Sequence, residues 1–174
     1  MVAVLAGPLE AVRVGGFDMD AAIQAHVRRE YGVAIGERTA EEINVSIGSA
    51  FSSGDQYKAE VRGRDLTTGT AKIIVLSPEE VREAVDEPVR AILEIIVRAL
   101  GQTPPDLAQD LIAQGLHLVG GGGMLRGMDE RISKETALPV HLVDTPLECV
   151  VHGAGRCLES FDRNKEMFMD RPRS

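Results

Sequence analysis

Four consecutive glycines constrain the fold of this chain more than any other feature of its sequence. They follow a short apolar run at 116–119 and precede a segment, 124–136, whose apolar residues recur at helical spacing. A strand, a glycine loop and a helix in this order are typical of a parallel α/β unit. Because open α/β sheets bind ligands at the carboxyl ends of their strands, we predict that this loop faces a ligand.

The glycine loop itself indicates which ligand it faces. Backbone without side chains can approach a phosphate or a flat purine closely, and amides near a helix N-terminus favour anions. One glycine would serve a tight turn, whereas each further glycine costs roughly 0.5–1 kcal/mol relative to alanine. We therefore predict a nucleotide-facing loop formed by Gly120, Gly121, Gly122 and Gly123. The spacing matches neither the GxGxxG nor the GxxxxGK[ST] motif, so it predicts neither a Rossmann site nor a P-loop.

The remaining pattern predicts one α/β lobe with an insertion. Apolar runs predict a hairpin from residues 1–6 and 9–14, a helix over 18–31, a helix capped by Thr39, and a helix that starts at Ser77. Residues 140–143 are expected to form a buried strand, followed by a helix that starts near 144. The stretch 36–77 lacks the strand–helix alternation. We predict a core α/β subdomain from 1–35 and 78–162, an inserted α+β subdomain at 36–77, and a charged tail at 163–174.

Composition excludes several classes of function. A net charge of −8 and only short basic clusters argue against nucleic-acid binding, which needs clustered Lys and Arg. No signal peptide and no apolar run of about 18 residues is visible, so a cytoplasmic protein is expected. Cys149 and Cys157 are two helical turns apart, too far for a disulfide, and are expected to be reduced and buried.

The sequence offers no self-contained catalytic or metal site. Asp18 and Asp20 fall in a helical first turn, where acids complement the helix dipole. His117 and His141 alternate with apolar neighbours, which favours packing over metal ligation. Ser/His/Asp order, Cys/His clusters and HExxH are absent from the sequence, so we predict no catalytic residue and no metal-ligating residue.

A family resemblance covers residues 9 to 162. The matching residues are Val14-Gly15-Gly16, Asp20-Ala21-Ala22-Ile23, Val27-Arg28-Arg29, Tyr31-Gly32, Ile35-Gly36-Glu37, Ala40-Glu41, Ile47-Gly48-Ser49-Ala50, Val61-Arg62-Gly63-Arg64, Leu66, Glu87-Pro88, Pro104-Pro105, Gly120-Gly121-Gly122, Leu125-Arg126, Asp129, Pro139-Val140, Asp144, Pro146-Leu147 and Cys149-Val150. Together they resemble the C-terminal half of the MreB family of bacterial actin homologues. This likeness implies an actin-like second lobe: a ribonuclease H-like core subdomain with a smaller inserted subdomain beside a nucleotide cleft.

The resemblance also implies a nucleotide site. In the family the glycine loop contacts the adenosine and phosphates, and a helix with a Glu-x-Ile-Lys pattern brackets the adenosine. That helix corresponds here to Glu41, Glu42, Ile43 and Asn44. Asn44 replaces the family's lysine, Phe17 replaces an acidic residue and Gly123 replaces an alanine. The implied cofactor is weakly bound ATP, with Mg²⁺ held indirectly through the nucleotide.

The resemblance covers only the family's second lobe and does not include its first lobe or its phosphate loops. ATP hydrolysis by this chain alone is therefore not expected. The expected partner is an actin-like first lobe or a full-length MreB-type protein, with membrane contact only indirect, through partners. Three functions remain open at this point. They are a truncated or split MreB-like protein linked to cell shape, a regulatory module that caps filaments of a full-length relative, and half of an ATP-dependent enzyme or Hsp70-like chaperone.

Overall fold

A computed structural model describes residues 2–4, 9–52, 54 and 58–161. Strands and helices alternate along the chain. In chain order they are β1 (Val2–Val4), β2 (Leu9–Ala11), α1 (Gly16–Tyr31), β3 (Val33–Ala34), α2 (Glu37–Ile47), β4 (Ala59–Asp65), β5 (Ala71–Leu76), α3 (Pro78–Gly101), α4 (Pro105–Gln114), β6 (Leu116–Leu118), a 3-10 turn (Gly121–Met124), α5 (Met128–Thr136), β7 (Val140–Leu142) and α6 (Cys149–Glu159).

The strands of the described part form three small sheets. β1 and β2 pair antiparallel, β3, β4 and β5 form an antiparallel sheet, and β6 pairs with β7 in parallel. The antiparallel pair confirms the predicted N-terminal hairpin, although residues 1 and 5–8 of that prediction lie outside the described residues. The parallel pair confirms the predicted parallel α/β organisation of the last third of the chain.

Two helices, α1 and α3, pack against each other and build the main core. On α3 the buried aliphatic residues recur every three or four positions, which places them on one face of the helix. They include Val81, Val85, Val89 and Ile92. Since burying such a side chain contributes roughly 1.5–3 kcal/mol, this one face supplies a large share of the stability.

Local capping chemistry sets most of the helix ends. Ser77 accepts a hydrogen bond from the Glu80 amide at 3.3 Å and Glu80 accepts one from the Ser77 amide at 2.9 Å, which confirms the predicted start of α3. The prediction that Thr39 caps α2 is wrong. α2 begins two residues earlier, after the extended Gly36, and Glu42 pairs with Arg38 at 3.0 Å.

The last strand is more exposed than predicted, and the last helix starts later than predicted. A strand forms at Val140–Leu142, within the predicted range, but its predicted burial is wrong because His141 and Leu142 are exposed. α6 begins at Cys149, later than predicted, and has no buried residue. α5 packs against β7, but among the described elements α6 has no substantial packing contact. Within residues 2–4, 9–52, 54 and 58–161, no opposing layer covers this strand and helix.

The sheet of β3, β4 and β5 spans the predicted boundary between core and insertion. β3 lies at 33–34, before the boundary, yet Val33 and Ala34 pair with Asp65 and Arg64 of β4. Gly63 in β4 allows this pairing, since a Cβ there would lie 2.3 Å from a methyl group of Val33. The division into subdomains stays a prediction.

Tyr31 joins the end of α1 to the start of α3. Its hydroxyl donates a short hydrogen bond to Glu80. That bond, together with burial and the nearby negative charge, raises the pKa of Tyr31 to about 12. Burial opposes ionisation of Glu80, but hydrogen bonds from Tyr31 and Ser77 outweigh it and lower the pKa of that carboxyl group.

Replacing Tyr31 by phenylalanine is expected to lower the free energy of unfolding by about 1 kcal/mol at neutral pH, because a partly exposed hydrogen bond to a carboxylate is lost. The folded pKa lies above the unfolded value of about 10, so from neutral pH to about pH 10 this stabilisation is complete, and it is lost as the pH rises towards 12. Urea unfolding followed by circular dichroism from pH 7 to 12 measures both effects.

The control for this prediction is Glu80→Gln, which keeps a capping acceptor and removes the charge. It should lower the pKa of Tyr31 towards its ordinary value. An unchanged alkaline titration of tyrosine absorbance in Glu80→Gln would contradict the assignment.

Candidate functional site

A cleft of approximately 380 Å³ lies where the start of α1, the helix α2 and the glycine turn meet. This volume falls within the range of roughly 300–1,000 Å³ that is usual for small-molecule sites. The residues lining it come from distant parts of the chain. They are Gly16, Met19, Asp20, Glu41, Asn44, Val45, Gly48, Gly121, Gly122, Met124, Leu125, Arg126 and Leu147.

The glycine run forms a single 3-10 turn after β6. The amide of Gly120 donates to the carbonyl of Pro146 at 2.6 Å, and the amide of Gly123 donates to the carbonyl of Gly120 at 3.1 Å. The prediction that an α-helix follows directly from Met124 is wrong, because α5 begins only at Met128. Glycine is a poor helix former, and the left-handed Gly127 separates the turn from the helix. The α-helix dipole therefore does not start at this turn.

The four glycines have different surroundings. Gly121 and Gly122 line the cleft, whereas Gly120 and Gly123 do not. Gly123 is buried behind the turn, where an added Cβ would lie 3.2 Å from the Cβ of Leu118. An added Cβ on Gly121 would meet only a Leu147 methyl group, at 3.6 Å. Gly121 is thus a position at which the backbone is open to a ligand.

The helix α2 presents two of its four predicted residues to the cleft. Glu41 and Asn44, three positions apart, lie on the same face and line it. Glu42 faces elsewhere and pairs with Arg38, and Ile43 is buried in the core. The structure therefore brings Glu41 and Asn44 together with the glycine turn, and the nucleotide-binding role of all the predicted residues stays a prediction.

Asn44 is held by α1. Its side-chain amide donates to the carboxylate of Asp20 at 2.9 Å, and its side-chain oxygen is buried without a hydrogen-bond partner in the described part. Asp18 caps the start of α1 by accepting from the Gly15 amide at 2.7 Å, as expected of an acid in a first turn. Asp20 instead belongs to the cleft. Sequence reasoning missed it because the contact joins residues 24 positions apart.

The charges around the cleft favour hydroxyl groups over phosphates. Asp20 and Glu41 supply carboxylate acceptors. Among the described residues that line the cleft, Arg126 is the one cation, and its guanidinium group already donates to the carbonyls of Gly48 at 3.2 Å and Ser46 at 3.1 Å. Val45, Met124 and Leu147 add apolar surface. Such a lining suits a sugar and a flat base.

The histidines and cysteines lie outside this cleft. His117 and His141 pair across β6 and β7 with ring centroids 5.5 Å apart, but both are exposed, so the expectation that they are packed inside is wrong. Cys149 and Cys157 are free, which confirms the prediction of no disulfide, and they are half-buried where full burial was predicted. Across residues 2–4, 9–52, 54 and 58–161, no group of three or more His, Cys, Asp or Glu could hold a metal ion.

Sequence comparison identifies relatives of this chain. The family model for MreB/Mbl protein matches residues 5–166. The cell shape-determining protein MreB of Escherichia coli strain K12 is 43% identical over 152 residues, which cover 87% of this chain and 44% of that protein. The cell shape-determining protein Mbl of Bacillus subtilis strain 168 is 34% identical over 153 residues, which cover 88% of this chain and 46% of that protein.

Structural comparison agrees. The crystal structure of MreB5 of Spiroplasma citri bound to ADP matches with a TM-score of 0.85 at 30% identity, over 91% of this chain and 48% of that chain. The MamK double helical filament matches with a TM-score of 0.67 at 17% identity, over 80% of this chain and 42% of that chain, and shows the fold alone. The predicted actin-like α/β fold is thereby confirmed.

The chain spans less than half the length of the relatives it matches. These likenesses place the chain with the MreB/Mbl family and do not favour a different ATP-dependent enzyme or an Hsp70-like chaperone. The family model covers far more than half of the chain, and the matched range includes every residue that lines the cleft. The chain therefore belongs to the MreB/Mbl family.

Proposed function

We propose that this chain is an MreB-type cytoskeletal polypeptide, linked to cell-shape determination, that contributes one wall of an ATP site. The observation that carries the proposal is the cleft between α2 and the glycine turn. The related MreB5 of Spiroplasma citri has been crystallised with ADP, which supports a nucleotide as the ligand.

The lining fits the nucleoside part of ATP. The apolar side chains of Val45, Met124 and Leu147 can pack against the base, and the carboxylates of Asp20 and Glu41 can accept hydrogen bonds from ribose hydroxyl groups. Asn44 stands where the family has lysine, so this wall offers the phosphates little positive charge. Mg²⁺ would then be held through the phosphates of the nucleotide.

The test is a calorimetric titration of the purified chain with adenosine and with Mg-ADP. Because the wall contacts mainly the nucleoside, the two affinities are expected to agree within about threefold, that is, within about 0.7 kcal/mol. If neither adenosine nor Mg-ADP gives heat of binding at millimolar concentration, the proposal is overturned.

Replacing Gly121 by valine is expected to weaken adenosine binding about tenfold, an effect of about 1.4 kcal/mol, because the new side chain narrows the cleft. The fold should be kept, since an added Cβ meets only the end of Leu147. The control is Gly153→Val on α6, where an added Cβ has nothing within 4 Å and lies away from the cleft. Equal binding by both variants would count against a ligand at the glycine turn.

We further propose that the chain does not hydrolyse ATP alone. Phosphoryl transfer depends on positioning the reacting groups and on neutralising the charge of the phosphates. The described residues of the cleft include one arginine, Arg126, which already binds the end of α2, so they supply little positioning and little positive charge. Release of phosphate from Mg-ATP above the rate in buffer would contradict this part of the proposal.

We propose that the partner is an actin-like first lobe, either separate or within a full-length MreB-type protein. The support is an apolar stripe on and beside α6, formed by Leu147, Val150, Val151, Leu158 and Phe161, each more than half exposed. The members on α6 and just beyond it fall on one side of the helix, the pattern of a helix that packs against another layer.

We place the chain in the cytoplasm, with membrane association through such partners. No described helix has the length and apolar character to cross a bilayer.

Replacing Val151 by aspartate is expected to reduce co-sedimentation with full-length Escherichia coli MreB at least fivefold, because a charge is introduced into an apolar contact. The matched control is His152→Asp, which adds the same side chain on the opposite face of α6. Equal loss in both variants would argue against the stripe as the contact. If the wild-type chain lowers the amount of pelleted MreB, it acts as the filament-capping module.

A further inference from the structure

The C-terminal end of α2 is capped from a distant part of the chain. α2 has no basic residue in its last turn, although the last carbonyls of a helix need donors and favour a cation. Arg126 supplies both, because its Nε donates to the carbonyl of Gly48 at 3.2 Å and another guanidinium nitrogen donates to the carbonyl of Ser46 at 3.1 Å. The planar, forked guanidinium group can reach two carbonyls at once, which a lysine cannot do in the same geometry.

The backbone of Arg126 is joined to the same segment. Its carbonyl accepts a hydrogen bond from the Ala50 amide at 2.8 Å, and it forms a parallel bridge with Ser49. The next residue, Gly127, lies so close to Phe51 that an added Cβ would be 2.8 Å from the Cβ of Phe51. Residues 46–51 are therefore attached to 126–127 through side-chain, main-chain and packing contacts.

These contacts connect the two walls of the cleft. Glu41, Asn44 and Val45 on α2 form one wall. The 3-10 turn Gly121–Met124, which ends two residues before Arg126, forms the other. We infer that Arg126 is a positioning residue that fixes the spacing of the two walls and so prepares the cleft for the nucleoside.

This inference rests on the proposed nucleotide function and makes it more specific. A cleft whose walls are already held apart at the right distance loses less conformational entropy when the ligand binds, so its affinity is higher. Arg126 as a residue is exposed and does not belong to the hydrophobic core. Its removal should therefore loosen the end of α2 without unfolding the core.

The experiment compares Arg126→Ala, Arg126→Lys and a control, Arg38→Ala. Arg38 is an exposed arginine on the same helix that pairs with Glu42 and does not line the cleft. Amide hydrogen exchange over residues 44–50 is measured without ligand, and adenosine affinity is measured by calorimetry. Far-UV circular dichroism establishes that each variant keeps its helical content.

Arg126→Ala is expected to speed exchange over 44–50 about tenfold and to weaken adenosine binding five- to tenfold. Arg126→Lys keeps the cation without the fork and should fall between alanine and wild type in both measurements. Arg38→Ala should change neither. If Arg126→Ala fails to fold, the comparison uses the three remaining proteins. Arg126→Lys should then show faster exchange over 44–50 and weaker adenosine binding than wild type, whereas Arg38→Ala should match wild type in both.

Two results would overturn the inference. Unchanged exchange in Arg126→Ala would mean that the side chain does not hold α2. Faster exchange with adenosine affinity within twofold of wild type would mean that the cap serves stability alone. A wild-type chain that binds neither adenosine nor Mg-ADP would instead overturn the proposed function, and the exchange measurement would still report whether Arg126 holds α2.

Discussion

Replacing Gly115 by alanine is expected to lower the free energy of unfolding by about 3 kcal/mol or more. Gly115 ends α4 and precedes β6, with φ at 71° and ψ at −166°, a region that is almost exclusive to glycine and costs other residues roughly 1–3 kcal/mol. An added Cβ would also lie 2.4 Å from the carbonyl oxygen of Pro139. Overpacking of this kind costs a further 1–3 kcal/mol or so, since the neighbour is backbone and cannot rotate away.

Urea unfolding followed by far-UV circular dichroism measures this loss, since the chain has no tryptophan. The control is Gly101→Ala at the end of α3, where an added Cβ has nothing within 4 Å and alanine is the better helix former. It should be neutral or slightly stabilising. A Gly115→Ala variant as stable as Gly101→Ala would show that the start of β6 tolerates a side chain. In that case the hydrogen bond from the Leu116 amide to the Pro139 carbonyl, at 2.8 Å, would not depend on the close packing of Gly115 against that carbonyl.

Replacing Ile92 by alanine is expected to cost about 2–5 kcal/mol of unfolding free energy. Ile92 lies on α3 in the middle of the buried face and is completely enclosed. Removing three carbon atoms there loses the energy of burying them and leaves a cavity that the packed helices can only partly fill. Because small proteins are stable by only about 5–15 kcal/mol, this single change removes a large fraction of the stability.

The matched control is the same substitution at Ile112 on α4, whose side chain is 67% exposed. It should alter the free energy of unfolding by less than about 0.5 kcal/mol, as surface changes usually do. Both variants replace isoleucine by alanine within a helix. The difference between their free energies of unfolding, measured with urea, therefore separates the effect of burial from that of helix propensity. Similar losses at both positions would mean that α3 is not the centre of the core.

The residues that line the cleft indicate which part of a nucleotide this chain is suited to bind. Its acceptors and apolar groups suit a nucleoside, and its arginine is occupied by the end of α2. We therefore expect phosphate recognition to depend on the partner lobe, whereas base and sugar recognition depend on this chain. The resemblance implies a lysine where this chain has Asn44, and such a replacement would likewise leave this side of the cleft with less positive charge.

Periodicity and local chemistry determined much of the fold from the sequence alone. The start of α3 at Ser77 depends on a capping box within four residues, and the end of α1 depends on a glycine that adopts φ of 63°. The buried face of α3 follows from apolar residues at helical spacing. These features were predictable because each is decided by residues that are neighbours along the chain. The glycine run likewise indicated the turn after β6.

Only the tertiary structure decided which residues meet at the cleft. The cleft brings together Asp20, Val45 and Leu147, and the hydrogen bonds of Asn44 to Asp20 and of Arg126 to Ser46 join residues 24 and 80 positions apart. No local pattern records such contacts. The same reason explains the errors. Leu142 lies in an apolar run whose pattern indicated burial, yet burial requires an opposing layer that the described part does not provide. Sequence determines which face of an element is apolar, whereas the packing of distant elements decides whether that face is covered.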